Sequence, residues 1–264
     1  MNKLRTFLSL LGVMVGIFVI SAVFAVVDSM EDNLMASFDM LDDDVFFIQK
    51  WPWSFGEDYP WWKYVQRREP TIRDCKELES RLNLAEAVAF QIKGMYSIKA
   101  GDNMMPNIPL AAVSHNYHEV ISLNLGLGRL FNESESASGA PVAVIGNDVA
   151  EKLFGTLEAL GKKFKVKGIR LEVIGVLEKE GASIVSTGLD EFVMVPARLG
   201  PKFFDIHSSE GNSIFVKCKK GVEMAVLKDE IIQQFRSIRS VRPNDEDDFA
   251  VNQIDMLTGM ITAI

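Results

Sequence analysis

The chain of 264 residues is long enough for one large or two small domains with real cores, and its 48% hydrophobic content partly reflects one long apolar stretch near the N-terminus. Acids outnumber bases 36 to 28, and setting aside Lys3 and Arg5 leaves a formal charge of −10 beyond residue 5. That balance argues against nucleic acid and against anionic lipid headgroups as partners. Two cysteines do not make a disulfide-dense scaffold; Cys75 shares an apolar helix face with Ile72, Leu78 and Leu82, and Cys218 a strand face with Ile214 and Val216, so both point toward a core.

Phe7–Val27 holds 21 consecutive residues without a charge, which as a helix spans about 30 Å, the thickness of a bilayer's hydrocarbon core. It predicts a transmembrane helix over 6–27. Lys3 and Arg5 precede it while Asp28, Glu31 and Asp32 follow, so residues 1–5 are cytoplasmic and the rest of the chain lies outside. A cleaved signal peptide is the competing reading, with small-enough residues at Val23-Phe24-Ala25, but the apolar run outlasts an h-region of about 7–15 residues. Met30, Leu34, Phe38 and Leu41 continue from Val27 at helical spacing with acids between them, the pattern of an amphipathic stalk over 28–41.

Val45–Lys50 is β-rich and stops at Pro52, a first strand. The stretch from Trp51 to Tyr64 then packs Trp51, Trp53, Trp61, Trp62 and two tyrosines into a segment that fits neither helical nor strand period. Either these rings cover a core beneath a long loop, or they form an exposed surface that meets a partner or the outer membrane leaflet. Thr71 caps a helix from Ile72 to about Leu82. Strands are expected at Ala87–Lys93, broken at Gly94, then at Met95–Lys99 and, beyond a turn at Gly101-Asp102-Asn103, at Leu110–Ser114.

In the middle of the chain, Val142–Gly146 reads as a short buried strand, followed by a helix that ends at Phe154-Gly155. Lys163–Val166, Leu171–Val176 and Glu191–Pro196 read as short strands, and Glu133–Gly139 as a polar loop. The last third returns to the earlier pattern: strand Ser213–Lys219, helix Met224–Ile238 and a short strand near Phe249–Val251. The fold class is α+β, with strand-helix-strand units flanking a β-rich middle, as when one domain interrupts another. Met256–Ile264 is apolar but far too short to span a bilayer, which predicts either the truncated start of a second transmembrane helix over 252–264 or a short terminal helix packed on the domain.

Motifs of catalysis and cofactor binding are missing from the sequence. Gly155…Gly161-Lys162-Lys163 lacks the spacing and the Ser or Thr of a phosphate-binding loop, and Gly126-x-Gly128 lacks the third glycine of a dinucleotide fingerprint and reads as a turn. His115-x-x-His118 has no third metal ligand near it, and no G-x-S-x-G frames a nucleophile. The acid runs Asp42–Asp44 and Asp245–Asp248 read as solvated loops, since the ligand spacing of a calcium loop is absent. The chain is not expected to be an enzyme, nor to hold a cofactor or metal.

The opening NKLRTFLSLLGVMVGIFVISAV, the segment Leu127-Gly128-Arg129-Leu130-Phe131, the run PVAVIGNDVAEKLFG at Pro141–Gly155, Gly161-Lys162, the strand LEVIGVLEK and the late VMVPARL form a set. That set resembles the MacB/FtsX family of ABC transporter permeases, over the first transmembrane helix and the MacB-like periplasmic core domain. The resemblance implies an inner-membrane permease whose periplasmic part is a porter-like subdomain, 42–112 and 209–251, interrupted by a sabre-like subdomain, 113–208. It implies a separate ABC-type ATPase subunit acting in trans, and a homodimer or a heterodimer with a related permease. A periplasmic adaptor protein and the lipid around the helix complete the implied partners. Motion would pass from the ATPase through helices and stalk to the periplasmic domain, for export or extraction of a substrate. A single-pass membrane-anchored binding or sensing domain is the alternative.

Overall fold

The structure is a computed structural model that describes residue 7 and residues 10–24, 44–54, 59–179, 189–205 and 211–254. Residues 10–24 form a helix, α1, on which every residue is exposed, including Leu10, Met14, Phe18 and Phe24. At 1.5 Å per residue this described part covers about 22 Å, and among the described residues no helix is long and apolar enough to cross a membrane. The remainder of the predicted 6–27 span, apart from Phe7, lies outside the described residues, as do the stalk 28–41 and residues 255–264.

Strand β1 (Val45–Gln49) is followed by the four-residue helix α2 (Trp61–Tyr64) and by α3 (Ile72–Glu79). The Thr71 hydroxyl accepts from the Asp74 backbone N–H and the Asp74 carboxylate accepts from that of Thr71, a reciprocal capping box that fixes where α3 begins. Next come β2 (Ala85–Ala100), β3 (Asn103–Val113), α4 (Tyr117–Val120) and β4 (Leu125–Gly128). The chain continues through α5 (Glu133–Ser138), β5 (Val142–Ile145), α6 (Asn147–Phe154), β6 (Lys163–Val166) and β7 (Ile169–Leu177). A 3-10 turn at Leu189–Glu191 leads to β8 (Val193–Pro196), a second 3-10 stretch at Ala197–Lys202, β9 (Asn212–Cys218), α7 (Met224–Arg239) and β10 (Ala250–Asn252).

Some local expectations are corrected. Gly94 does not break the strand; β2 runs through it for 16 residues because β3 pairs with it from Gln91 to Tyr96 and, after a register shift, from Ile98 to Ala100. The polar run Glu133–Gly139 is a helix, started by an Asn132/Glu135 capping box and stopped by Gly139 in the left-handed region. The glycines at 126 and 128 lie in strand β4, not in a turn, and the aromatic segment carries the short helix α2.

The strands form one sheet in the order β10-β1-β9-β2-β3-β8-β5-β7-β4, while β6 pairs with both β2 and β7. The path β2-β3-β8-β5-β7-β6 therefore closes on itself into a ring, and α6 contacts β2, β3 and β7 around it. Beside the ring, β2, β9, β1 and β10 form a terminal sheet drawn from both ends of the chain. Both faces of β1 are covered. Phe46 and Ile48 pack with Leu78 of α3 and Leu227, Ile231 and Phe235 of α7 in one cluster, while Val45 and Phe47 pack with Tyr117, Phe131 and Phe215 in another.

Candidate functional site

The chain enters and leaves the terminal sheet side by side. Strands β1 and β10 are antiparallel, with Phe47 opposite Asn252 and Ile48 opposite Val251. Continuing that register sets Ile254 against Val45, and both are 1% exposed within the same buried cluster. Asp44 and Ile254, the described residues that flank this pair, thus lie at the same end of it. The stalk candidates Met30, Leu34, Phe38 and Leu41 lie outside the described residues.

The opposite end of β1 leads into the aromatic segment, and the structure splits its four tryptophans. Trp53 is half-buried: its backbone N–H donates to Asn252 Oδ1 at 2.9 Å, its indole N–H donates to Gln49 Oε1 at 2.8 Å, and its ring stands 4.9 Å from that of Phe47. Trp51 is also half-buried, its carbonyl taking the Asn252 amide at 2.9 Å and its ring meeting Tyr64 edge-on at 6.4 Å. Trp61 and Trp62 instead project from α2 with 58% and 56% of their surface exposed, and Val65 beside them is 47% exposed. Two rings cover the sheet end and two face outward.

A buried arginine buttresses this corner. The Arg239 side chain, only 3% exposed, lies 3.1 Å from Asp74 Oδ2 and 3.4 Å from Asp248 Oδ2, and donates to the carbonyls of Arg68 and Glu69. Arg68 returns a bond to the Arg239 carbonyl and pairs with Asp248, while Asp247 pairs with Arg236. The start of α3, the end of α7, the segment after α2 and the acid run are tied together, so Asp247 and Asp248 are not freely solvated as their sequence suggests. Sequence reasoning missed Arg239, which continues α7 one residue past the expected end, and Asn252; each occupies an ordinary position in the chain, and only the fold brings its partners to it.

The middle of the chain adds an exposed ion pair. Both Arg129 guanidinium nitrogens donate to Glu135 at 2.7 Å, and this holds the Glu135 carboxyl down to about 2 against burial, which pushes it the other way. Gly146 ends β5 where an added Cβ would fall 2.1 Å from the Leu189 carbonyl oxygen and 2.2 Å from that of Asp190, so only glycine fits. Cys75 and Cys218 are free and buried, and burial pushes both thiols up, away from reactive thiolate character. His115 lies between β3 and α4, and the ring of His118 bonds back to the His115 carbonyl. Among the described residues no group of three or more His, Cys, Asp or Glu side chains is arranged to hold a metal ion.

Residues 6–234 match the family model of the MacB-like periplasmic core domain. The chain belongs to that family. The MacB-like domain is 27% identical over 203 residues to the macrolide export ATP-binding/permease protein MacB of Wolinella succinogenes, covering 76% of this chain and 30% of that protein. Against the protein of the same name from Chlorobaculum tepidum it is 24% identical over 268 residues, 99% of this chain and 40% of the relative. The pyoverdine export ATP-binding/permease protein PvdT of Pseudomonas entomophila is 25% identical over 218 residues, 79% of this chain and 31% of PvdT. This chain therefore spans about a third of the length of the curated relatives it matches. Among solved structures, the periplasmic region of MacB from Actinobacillus actinomycetemcomitans superposes with a TM-score of 0.66 at 18% identity, covering 84% of this chain and 94% of that one. The extracellular domain of the ABC-type transporter YknZ from Gram-positive bacteria gives 0.60 at 20% identity, over 78% of this chain and 98% of that one. The MacB-like domain shares the fold of both.

Proposed function

We propose that this chain supplies the first transmembrane helix and the extracytoplasmic domain of a permease subunit in a MacB-like ABC transporter. The carrying observation is the β1–β10 pair, which sends both flanking segments off the same end of the terminal sheet. A domain inserted between two membrane helices needs this arrangement. The wholly exposed apolar helix α1 supports the same reading, since such a surface is stable in lipid and costly in water. On this reading the N-terminus is cytoplasmic, the terminal sheet is the porter-like subdomain, and the middle of the chain, with most of the ring, is the sabre-like one.

On this reading the contribution of the chain is mechanical. An ATPase subunit in trans hydrolyses ATP, and the stalk over 28–41 passes the motion to the domain of a homodimer or heterodimer. The exposed Trp61 and Trp62, at the end of the sheet away from the two flanking segments, serve as the surface for a partner such as an adaptor protein. That placement also favours a partner protein over the near membrane leaflet. The test is topological: in intact spheroplasts, added protease should digest the domain while an N-terminal tag stays protected. A tag digested together with the domain, or a domain recovered in the cytosol, would overturn the proposal.

The exposed tryptophan pair also fits a membrane-anchored binding domain that moves nothing. Co-purification separates the two, because an ABC-type ATPase should accompany the permease and should be absent from a sensor.

A further inference from the structure

The terminal sheet and the ring share strand β2, and the ladder is interrupted at the handover between them. Along one edge of β2, β9 pairs as far as Ile92 and β6 takes over at Ile98. Between them the register slips from Tyr96 to Ile98, and β3 alone continues the pairing on the other edge. A strand pair crossing such a gap twists and bends more readily than the sheet on either side.

Three segments converge on this gap. The Tyr96 hydroxyl donates to the Phe203 carbonyl at 2.7 Å, and Lys167 Nζ donates to the same oxygen at 2.6 Å. The Lys167 ammonium also lies 4.7 Å from the centre of the Tyr96 ring. Phe204 packs edge-on against Tyr96 at 5.4 Å, and a Cβ on Gly94 would come within 3.1 Å of the Phe204 ring. Lys167 belongs to the tip of the β6–β7 hairpin, Tyr96 to β2 in the gap, and Phe203 to the end of the 3-10 stretch after β8.

The hairpin tip carries an unusual residue. Lys167 and Gly168 have φ of +46° and +80°, the two-residue turn in which Asn-Gly is strongly preferred and a lysine is a poor choice for the backbone. Local turn chemistry therefore does not account for Lys167, whereas its reach to Phe203 does.

We infer that Lys167 and Tyr96, gripping the Phe203 carbonyl from two sides, form a clamp that fixes the angle between the ring and the terminal sheet. The inference concerns the domain's internal rigidity and is independent of any transported substrate. Its test uses the full chain in detergent, with spin labels at Glu158→Cys beside the ring and Asp229→Cys on α7; the native thiols are buried and stay unlabelled. Pulsed electron spin resonance then reads the distance distribution. Lys167→Asn, which suits the turn better, should leave the melting temperature unchanged or higher yet at least double the width of the distribution. Tyr96→Phe should broaden it too, and Lys167→Arg should restore the parent width. A folded Lys167→Asn/Tyr96→Phe chain with the parent distribution would overturn the clamp.

Discussion

Asn252 and Trp53, 199 residues apart in the chain, are joined by a 2.9 Å hydrogen bond from the Trp53 backbone N–H to the Asn252 side-chain oxygen. The same amide donates to Trp51 and Gln49, so one buried side chain at the end of β10 sets the path of the aromatic segment leaving β1. Asn252→Leu should leave those polar groups unpaired and cost about 2–3 kcal/mol. Urea denaturation measures the loss, and a red-shifted tryptophan emission reports the release of Trp53.

The two halves of the tryptophan set should respond differently. Trp53→Ala removes a ring packed on Phe47 and should cost roughly 3 kcal/mol. Trp61→Ala with Trp62→Ala exposes nothing new and should change stability by no more than about 0.5 kcal/mol. Calorimetry separates the two classes, and the double variant should lose the co-purifying partner protein while keeping its fold.

On the mechanical reading, Leu34→Asp or Phe38→Asp should uncouple ATP turnover from transport and leave the melting temperature of the domain unchanged. Vesicles reconstituted with the ATPase subunit supply both rates. Retention of coupling by both variants would remove the role assigned to the stalk.

Two glutamates should shift stability in opposite directions with pH. Glu135 is held down to about 2 from an ordinary 4.5 by Arg129, so its contribution is complete above the ordinary value and fades as pH falls toward 2. Glu135→Gln should therefore lose up to about 1 kcal/mol at neutral pH, with the deficit closing in acid. Glu79, which accepts from the Asn116 amide at 3.1 Å, is raised by burial, with His115 opposing. Its ionised form is penalised above its raised pKa and the penalty disappears below the ordinary value, so Glu79→Gln should stabilise near pH 7 and be neutral in acid. Urea titrations at several pH values distinguish the two slopes.

Gly146→Ala should cost about 3 kcal/mol or more, because the Leu189 and Asp190 carbonyls would have to retreat. Gly161→Ala is the control for glycine as such: its Cβ meets nothing within 4 Å, and its cost is limited to a φ of +73°.

Alternation and capping made the terminal sheet legible in the sequence. The strand at Val45, the Thr71 cap and the helix from Met224 all follow from local signals, and their observed bounds lie within a few residues of the expected ones. Helix α5 was equally legible, since Asn132, Glu135 and Gly139 are start and stop signals, but its polar composition concealed them. The continuity of β2 through Gly94 was not, because β3 supplies the pairing that glycine's propensity works against. For the site, the exposed tryptophans carried a compositional signal, whereas Asn252 and Arg239 acquire meaning from partners that the fold brings in from far along the chain, Trp53 for Asn252 and Glu69 and Asp74 for Arg239.

Among the described strands, only β10 and β4 lack a neighbour on one side, and they are three and four residues long. A foreign strand adding to either would gain a ladder too short to be stable by itself. Along one margin of β2, β9 covers Ala85–Ile92 and β6 covers Ile98 and Lys99. Both end strands are therefore poor templates for a further strand.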